Sequence, residues 1–371
     1  MASSLAAVIL AAGFSSRMGA FKPLLPFGDS TVIEEVVRLF SKCGIRTIRV
    51  ITGHNHHILE DVIRRCGAIP VFNPDYETGM LSSIQAGFRC MDANTDGAFL
   101  LPVDIPAIRQ FTLQMLMDER KGHEDHIIMP CFQGFTGHPP LIPMTLKDQI
   151  LALGPDQSLR DLFESDGVRI KTVDTFDRGI LMDADDPDGY ERIRKKKLGI
   201  SFPERDECEE ILNRFLSGKD HIKAHARQVA TAAETIAAAL PCILDPRLIV
   251  SAALLHDICR DQPQHAQKGA KLVRQFGFDR VADVISHHMD MPGSSPLDHS
   301  SEHLTEKEIV YFADKVCKQD RIDLNYHDRF AEKITQYPHK EHQITRRYEI
   351  ARHIQTRIET LAGQPVDQIL G

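Results

Sequence analysis

Apolar and polar positions follow two different patterns along the chain. Up to about residue 198, short apolar runs alternate with amphipathic stretches in which apolar residues recur every three or four positions. The runs 6–10, 48–52, 68–72 and 97–104 predict strands, and the stretches 32–44, 58–67 and 83–91 predict helices. Strands that alternate with helices predict an α/β fold with a mostly parallel, Rossmann-like sheet, whose ligands bind at the carboxyl ends of the strands.

From about Pro203 onward the pattern is helical only. Helices are predicted at 207–216, 225–240, 247–258, 265–277, 281–288 and 306–322, followed by a long C-terminal helix. The basic stretch 192–199 between the two patterns reads as a helix end and a linker. We therefore expect two domains, residues 1–198 with the α/β fold and residues 204–371 with an all-helical fold.

Composition and charge narrow the class of protein. The 371 residues are 42% hydrophobic and 26% charged, as in folded proteins of two domains. No apolar run approaches the roughly 20 residues of a membrane span, and the net charge of −8 argues against a nucleic-acid partner. The N-terminus lacks the basic region of a signal peptide, and the eight cysteines form no CxxC pair, so we expect a cytoplasmic protein with reduced thiols and no membrane partner.

The first candidate site is the stretch LAAGFSSRMGAFK, Leu10 to Lys22. A strand that ends in AAG turns tightly and brings backbone amides close to a ligand, while Arg17 and Lys22 add positive charge. The stretch is neither GxxxxGK[ST] nor GxGxxG, so two common nucleotide-binding fingerprints are absent. It indicates a phosphate-binding loop, with a purely structural turn as the alternative.

This stretch closely resembles the LAAGxSxRMGxxK signature of nucleotidyltransferases related to the molybdenum cofactor guanylyl- and cytidylyltransferases, and its AAG form looks more like the cytidylyl branch. Further segments of the family follow in order at 52–54, 73–87, 101–106, 137–143 and 180–191. The chain has DIP where the family more often has DMP, and DADDPDG where it more often has DIDTPED. Neither departure removes an expected carboxylate, so both concern the substrate rather than the chemistry.

The resemblance implies roles for individual residues. Lys22, Arg17 and Asp104 would be catalytic, and Asp104 with Asp183 or Asp185 would hold magnesium against a nucleoside triphosphate. Ser82 fits a helix N-cap equally well, and a lone histidine such as His138 is otherwise more often structural. The residues expected to bind the nucleotide or its acceptor are Leu10, Ala11, Ala12, Gly13, Arg17, Lys22, Gly79, Ser82, Ser83 and His138.

The second candidate site lies in the helical half. His256 and Asp257 follow the apolar stretch IVSAALL inside a predicted helix, where a polar pair needs partners. Imidazoles and carboxylates from several helices can converge on divalent metals in such a fold. The alternative is a helix end with two exposed polar residues. The other candidate ligands in this half are His225, His265, His287, His288 and Asp314.

This set resembles the HD superfamily of metal-dependent phosphohydrolases over residues 220–322. The signature H…HD…D falls on His225, His256, Asp257 and Asp314. The additional histidines, His265 and either His287 or His288, look like those of members with two metals. The resemblance implies a catalytic Asp257 and two divalent transition metals, such as manganese or iron.

Together the two halves predict a bifunctional enzyme. The first domain would transfer CMP from CTP, or a nucleotidyl group from another NTP, to molybdopterin cofactor with release of pyrophosphate, and the second would hydrolyse a phosphoester. One alternative acceptor is another phosphorylated small molecule, such as a sugar, polyol or choline phosphate. The HD domain could instead be a regulatory nucleotide sensor, although its complete ligand set argues against that role, and the chain could insert the cofactor into a molybdenum enzyme as a chaperone.

Overall fold

The protein folds as two compact units that meet in the sequence between Ile200 and Ser201. The computed structural model describes residues 4–292 and 303–371, without the side chain of Arg17.

The first unit contains ten strands and seven α-helices among the described residues. The strands are β1 Leu5–Ala11, β2 Pro26–Phe27, β3 Ser30–Thr31, β4 Thr47–Thr52, β5 Ile69–Phe72, β6 Gly97–Pro102, β7 Ile127–Phe132, β8 Phe135–Thr136, β9 Leu141–Pro143 and β10 Ile170–Asp174. The helices are α1 Val32–Lys42, α2 His56–Arg65, α3 Met80–Arg89, α4 Gln110–Arg120, α5 Lys147–Ala152, α6 Leu159–Phe163 and α7 Pro187–Leu198.

The main sheet has the strand order β10-β7-β9-β6-β1-β4-β5, with β8 paired to β7. Strand β1 runs parallel to both β4 and β6, and β4 runs parallel to β5. The short strand β9 runs antiparallel between β6 and β7. The prediction of a mostly parallel sheet is therefore confirmed, and the carboxyl ends of β1 and β6 meet at one edge of the sheet.

Helices cover both faces of this sheet, which explains why β1 is apolar at successive positions. Ala7, Ile9 and Ala11 belong to a core that includes residues of α1, α2 and α4. Val8 and Leu10 point to the opposite face and join a second core that includes residues of α3, α5 and α6. Burial on both faces fixes the position of β1 and hence of the loop that follows it.

Among its described residues the second unit is helical except for one small hairpin, which agrees with the predicted class. Its helices are α8 Arg205–Phe215, α9 Asp220–Ala238, α10 Pro246–Leu255, α11 His265–Gln275, α12 Asp279–Ser286, α13 Glu306–Lys315, α14 Tyr326–Gln336, α15 Glu341–Ala362 and α16 Val366–Leu370. The hairpin pairs β11 Cys317–Lys318 with β12 Arg321–Ile322, where the apolar pattern had predicted a continuing helix. Two residues per strand are too few to leave an alternating pattern in the sequence.

Helix α9 lies at the centre of this unit and packs against α10 and α13. Its small and branched side chains Ala226, Val229, Ala233 and Ile236 are fully buried. Small residues let neighbouring helices approach closely, so polar side chains on adjacent helices can meet. Across the described ranges, no helix has the length and apolar character needed to cross a membrane.

Candidate functional site

The first candidate site is a three-residue charge cluster at the carboxyl edge of the sheet. Asp104 lies just beyond β6, Lys22 begins the short 3-10 helix Lys22–Leu24, and Asp185 precedes α7. The Lys22 ammonium lies 3.3 Å from Asp104 Oδ2 and 3.0 Å from Asp185 Oδ1. A backbone hydrogen bond of 2.9 Å, donated by Ala184 N–H to the Asp104 carbonyl, holds the two acidic segments together.

Asp183 and Asp185, the two candidates for the second carboxylate, lie in different surroundings. Asp185 contacts Lys22, whereas Asp183 is exposed and its backbone carbonyl lies close to Gly189. The Asp185 carboxylate is itself about half exposed, at 47%, while that of Asp104 is 24% exposed. The cluster is therefore open enough to receive a charged ligand while its lysine, at 13%, is mostly covered.

The loop after β1 is fixed by backbone hydrogen bonds from neighbouring strands. Leu10 O accepts from Val103 N–H at 3.0 Å, and Ala12 O accepts from His54 N–H at 3.1 Å. Around Gly13 there is open space, since a Cβ added there would meet nothing within 4 Å. Ala11 ends β1. Arg17 lies in the 3-10 helix Ser16–Met18, and its side chain is outside the described part of the chain.

A second polar group centres on Asn73, which the sequence reasoning did not single out. Its amide donates to Ser82 Oγ at 2.9 Å and to Ser83 Oγ at 3.0 Å, and Asn73 and Ser83 are buried. Helix α3 starts at Met80 with Gly79 as its N-cap at φ 118°, so Ser82 lies within the first turn and is not the cap. The segment NPDYETG, which contains an asparagine directly after a strand, was the available signal for this group.

His138 is placed beside the first site with one unsatisfied atom. Its backbone N–H donates to Ile180 O at 3.0 Å, while its buried Nδ1 has no hydrogen-bond partner in the described ranges. Burial lowers the pKa of His138, and the opposing effects of the Leu100 backbone and Asp104 are weaker. The imidazole is therefore neutral near pH 7 and can donate to or accept from a ligand.

The second candidate site is built around the carboxylate of Asp257. His256 is the C-cap of α10 and Asp257 follows it, so the pair lies at the end of a helix rather than inside it. Both residues are nonetheless buried. The site is therefore not the exposed helix end that was the alternative.

Each oxygen of Asp257 faces a different pair of histidines. Oδ2 lies 3.4 Å from His256 Nε2 and 3.9 Å from His225 Nε2, and Oδ1 lies 3.3 Å from His265 Nε2 and 3.5 Å from His288 Nε2. We call His225, His256 and Asp257 the first histidine group and Asp257, His265 and His288 the second. In each group the potential ligand atoms lie within 4.8 Å of one another.

Asp314 at the end of α13 completes the first histidine group. Its Oδ1 lies 3.1 Å from His225 Nε2 and 3.6 Å from His256 Nε2. Lys315 pairs with the other oxygen of Asp314 at 2.6 Å and donates to the carbonyl of His288 at 3.0 Å. The structure thus brings together His225, His256, Asp257, His265, His288 and Asp314, whereas His287 lies 3.8 Å from Asp283.

The carboxylates of Asp257 and Asp314 favour positive charge on the groups around them. Burial opposes ionisation of Asp257, but His256 and the other imidazoles around it hold its pKa well below the usual range. Burial likewise opposes a charge on His256, but Asp257 and Asp314 raise its pKa to about 10. The buried carboxylate of Asp257 and the mostly covered carboxylate of Asp314 lie among imidazoles, and the buried His256 Nε2 has no hydrogen-bond partner in the described ranges. Such a donor set suits divalent transition metals.

A cavity of about 730 Å³ opens onto this cluster within the second unit. Its walls include His225, Asp257, His265 and Asp314, together with Lys333 of α14. Burial and the nearby cations, Lys315 first among them, lower the pKa of Lys333. This volume is typical of small-molecule sites. Sequence reasoning missed the α14 residue because nothing in its local pattern shows which face of that helix meets the cavity.

A parallel sheet with a lysine and carboxylates at its edge is typical of nucleotide-binding enzymes, and buried histidine–aspartate groups are typical of metal-dependent ones. Residues 7–171 match the MobA-like NTP transferase domain, and residues 222–323 match the HD domain. The chain therefore carries a MobA-like NTP transferase domain followed by an HD domain. Both are families of enzymes.

Individual relatives cover the first half of the chain. The molybdenum cofactor cytidylyltransferase of Escherichia coli (strain K12) is 26% identical over 199 residues, which are 53% of this chain and 100% of that protein. A probable molybdenum cofactor guanylyltransferase of Bacillus anthracis is 26% identical over 161 residues, covering 42% of this chain and 76% of the relative. The crystal structure of Rv0371c from Mycobacterium tuberculosis H37Rv has 25% identity and a TM-score of 0.45, covering 53% of this chain and 99% of that one.

Proposed function

We propose that the chain is a bifunctional cytoplasmic enzyme whose first domain, residues 1–198, transfers CMP from CTP to molybdopterin cofactor. An oxygen of the acceptor's phosphate attacks the α-phosphorus of the triphosphate, the bond to the β-phosphate breaks, and pyrophosphate leaves. The observation that carries this proposal is the contact of Lys22 with Asp104 and Asp185 at the edge of the sheet. None of the eight cysteines, all of which lie in the described ranges, forms a disulfide, and this supports a reducing compartment.

In this proposal each residue of the cluster has a separate role. Lys22 binds the phosphate oxygens, on which negative charge increases in the transition state. Asp104 and Asp185 would hold magnesium, which supplies neutralising charge and orients the triphosphate. The neutral His138 and the Asn73–Ser82–Ser83 group would contact the nucleotide or its acceptor, as the orphaned Nδ1 of His138 suggests.

For the second domain, residues 204–371, we propose hydrolysis of a phosphoester. Water adds to phosphorus, the bond to the alcohol oxygen breaks, and the alcohol leaves with one of the water protons. The two histidine groups, which share Asp257, would each hold one divalent ion such as manganese or iron, and these ions would activate water and neutralise the phosphate. The carboxylate of Asp257, with one oxygen toward each group, is the observation that supports two ions rather than one.

The test of the transferase compares two nucleotides in separate reactions. The purified chain is incubated with molybdopterin cofactor, magnesium and either CTP or GTP, and the products are identified by mass spectrometry. We expect the cytidylyl product and pyrophosphate, because the AAG turn and the Escherichia coli relative both favour the cytidylyl branch. Faster turnover of GTP would overturn the choice of nucleotide, and transfer only to a sugar, polyol or choline phosphate would overturn the acceptor.

A further inference from the structure

The cavity of the second unit has two walls of different origin. One wall carries the histidine groups and lies within residues 222–323, the range that matches the HD domain. Other lining residues come from α14 and α15, which follow that range, and these include Phe330, Lys333, Ile344 and Arg347. We call these four residues the helical wall. Since they lie beyond the matched family range, this wall is a feature of the present chain.

The cavity is lined by more positive than negative side chains. Six basic residues face three carboxylates, and most of the basic ones are already paired. Arg260 lies 3.0 Å from Asp257, Lys315 pairs with Asp314, and Arg347 binds Asp290 at 2.6 Å. Each of these three cations therefore already has a carboxylate partner within the protein and needs no bound anion to balance its charge.

Lys333 differs from these cations. Its ammonium makes no ion pair or hydrogen bond with any described residue, and it lies 5.9 Å from the centre of the Phe330 ring. Lys315 and Arg329 line the same cavity, so the positive charge around Lys333 is crowded. Lys333 is exposed to solvent, so an anion can reach its ammonium, and an anion bound there would relieve the like-charge repulsion.

Apolar surface adjoins this cation. Phe330 and Ile344 are buried residues, and both lie on the cavity wall. The helical wall therefore offers a positive charge next to an apolar patch, in the same cavity as the histidine groups. A ligand with one phosphate at the histidine groups and a second anionic group at Lys333 would interact with both parts of the cavity lining.

We propose that the helical wall determines the specificity of the second domain, with Lys333 binding a second phosphate of a small-molecule substrate that already carries the phosphoester to be cleaved. The substrate class is thus a diphosphate or bisphosphate of about nucleotide size, whose apolar part packs on Phe330 and Ile344. This inference rests on the proposed phosphohydrolase function, since it places the scissile phosphate at the Asp257 groups.

The test measures binding of adenosine diphosphate to the full chain by calorimetry, without added metal. All proteins carry Lys22→Ala, which removes the phosphate-binding lysine of the first domain from the measurement. We expect Lys333→Gln to weaken binding roughly tenfold or more, the usual loss for a hydrogen bond to a charged group. Lys333→Arg, which keeps the positive charge, should bind as the parent does. Lys340 is exposed and does not line the cavity, so Lys340→Gln should leave binding unchanged.

Two further readouts separate the possible failures. Because like charges surround Lys333, its removal should not lower the melting temperature, so a destabilised Lys333→Gln protein would indicate a structural role and overturn the proposal. Equal binding by the parent and Lys333→Gln, or no binding by the parent, would also overturn it. Hydrolysis of p-nitrophenyl phosphate with manganese tests the proposed phosphohydrolase function itself. If the chain does not hydrolyse this substrate, the phosphohydrolase proposal fails. Weaker binding of adenosine diphosphate by Lys333→Gln would then still support phosphate binding by Lys333.

Discussion

At the scale of single residues, the first site depends on one lysine between two carboxylates. Lys22 connects the loop after β1 to Asp104 at the end of β6 and to Asp185 before α7. These three segments are distant in sequence and are brought together by the parallel pairing of β1 and β6 and by the hydrogen bond from Ala184 N–H to the Asp104 carbonyl. Removing the charge of one member should therefore affect ligand binding more than folding.

We predict that Lys22→Ala and Asp104→Asn each lower the rate of nucleotidyl transfer by about 10² to 10³, or about 3–4 kcal/mol, because each loses a contact to the charge that develops on the phosphates. The measurement is the initial rate of pyrophosphate release at saturating nucleotide. Lys121→Ala is the matched control, since that lysine is 78% exposed and pairs only with a neighbouring surface carboxylate. A variant that retained more than about a third of the parent rate would remove its residue from the site.

The adjacent histidines after α12 provide a second comparison. His288 lies 3.5 Å from Asp257 and is buried, whereas His287 is exposed enough to pair with Asp283. We predict that His288→Ala lowers the metal content of the full chain by one ion and greatly reduces hydrolysis, while His287→Ala changes neither. Metal analysis after dialysis checks the content. Equal loss in both variants would contradict the assignment of His288 to the second histidine group.

The affinity for metal should also depend on pH, and the protonation of His256 determines whether it rises or falls with pH. Asp257 and Asp314 raise its pKa from 6.5 to about 10 in the metal-free chain, so a proton must leave before a metal can bind. The apparent affinity for manganese should then rise roughly tenfold per pH unit for each proton released, within that window. By the same sign, the stability that the protonated His256 gives the metal-free chain declines as pH rises through about 10. Calorimetric affinities that do not change with pH would contradict this.

At the scale of elements, close approaches of backbone position the residues of the first site. A Cβ on Gly137 would lie 2.4 Å from the carbonyl oxygen of Ile180, the same oxygen that accepts from His138 N–H. Backbone atoms of the 3-10 helix Arg178–Leu181 cannot move away as a flexible side chain can. This contact couples the segment that contains His138 to the segment that leads to Asp185.

We predict that Gly137→Ala destabilises the chain by about 1–3 kcal/mol, the usual result of forcing an extra methyl group into a packed site, and also lowers transfer activity. Gly154→Ala is the control, because the nearest atom to its added Cβ would be a flexible Gln157 side chain at 3.6 Å. Urea unfolding of the full chain, followed at a signal of the first unit, gives the free energies. A stability loss no larger than that of Gly154→Ala would show that the Ile180 segment moves aside.

The sequence predicts some elements well and misses others. The strands β1, β4, β5 and β6 and the helices α8 to α12 lie close to their predicted ranges, because each carries a clear period. Helix α13 begins at the predicted residue but ends at Lys315, before the β11–β12 hairpin that was missed. The strands β2, β3 and β7 to β10 and the helices α4 to α6 were not predicted, and strands of two or three residues, such as β9, show no period. For His288 a signal was present: Val281, Val284, Ile285 and His288 follow the spacing of one buried helix face. The contact of Lys22 with Asp185 depends on tertiary pairing and could not be found locally.

At the scale of the whole molecule, the chemistry is divided by unit. Lys22, Asp104 and Asp185 precede Ile200, and both histidine groups follow Ser201. Of the 18 histidines, 12 follow residue 198, in the unit that contains the histidine groups. The described side chains of each site thus come from a single unit.

The two activities should therefore be separable in the full chain. We predict that Lys22→Ala lowers nucleotidyl transfer by the same factor of about 10² to 10³ and leaves hydrolysis of p-nitrophenyl phosphate unchanged, because Lys22 makes its ion pairs only with Asp104 and Asp185 among the described residues. Asp257→Asn should do the reverse, since it removes the negative charge shared by both histidine groups and keeps the shape of the side chain. Both activities are measured on each variant with magnesium and manganese present. Reduced transfer in a folded Asp257→Asn protein would show that the second site controls the first, as expected of a regulatory sensor rather than an independent phosphohydrolase.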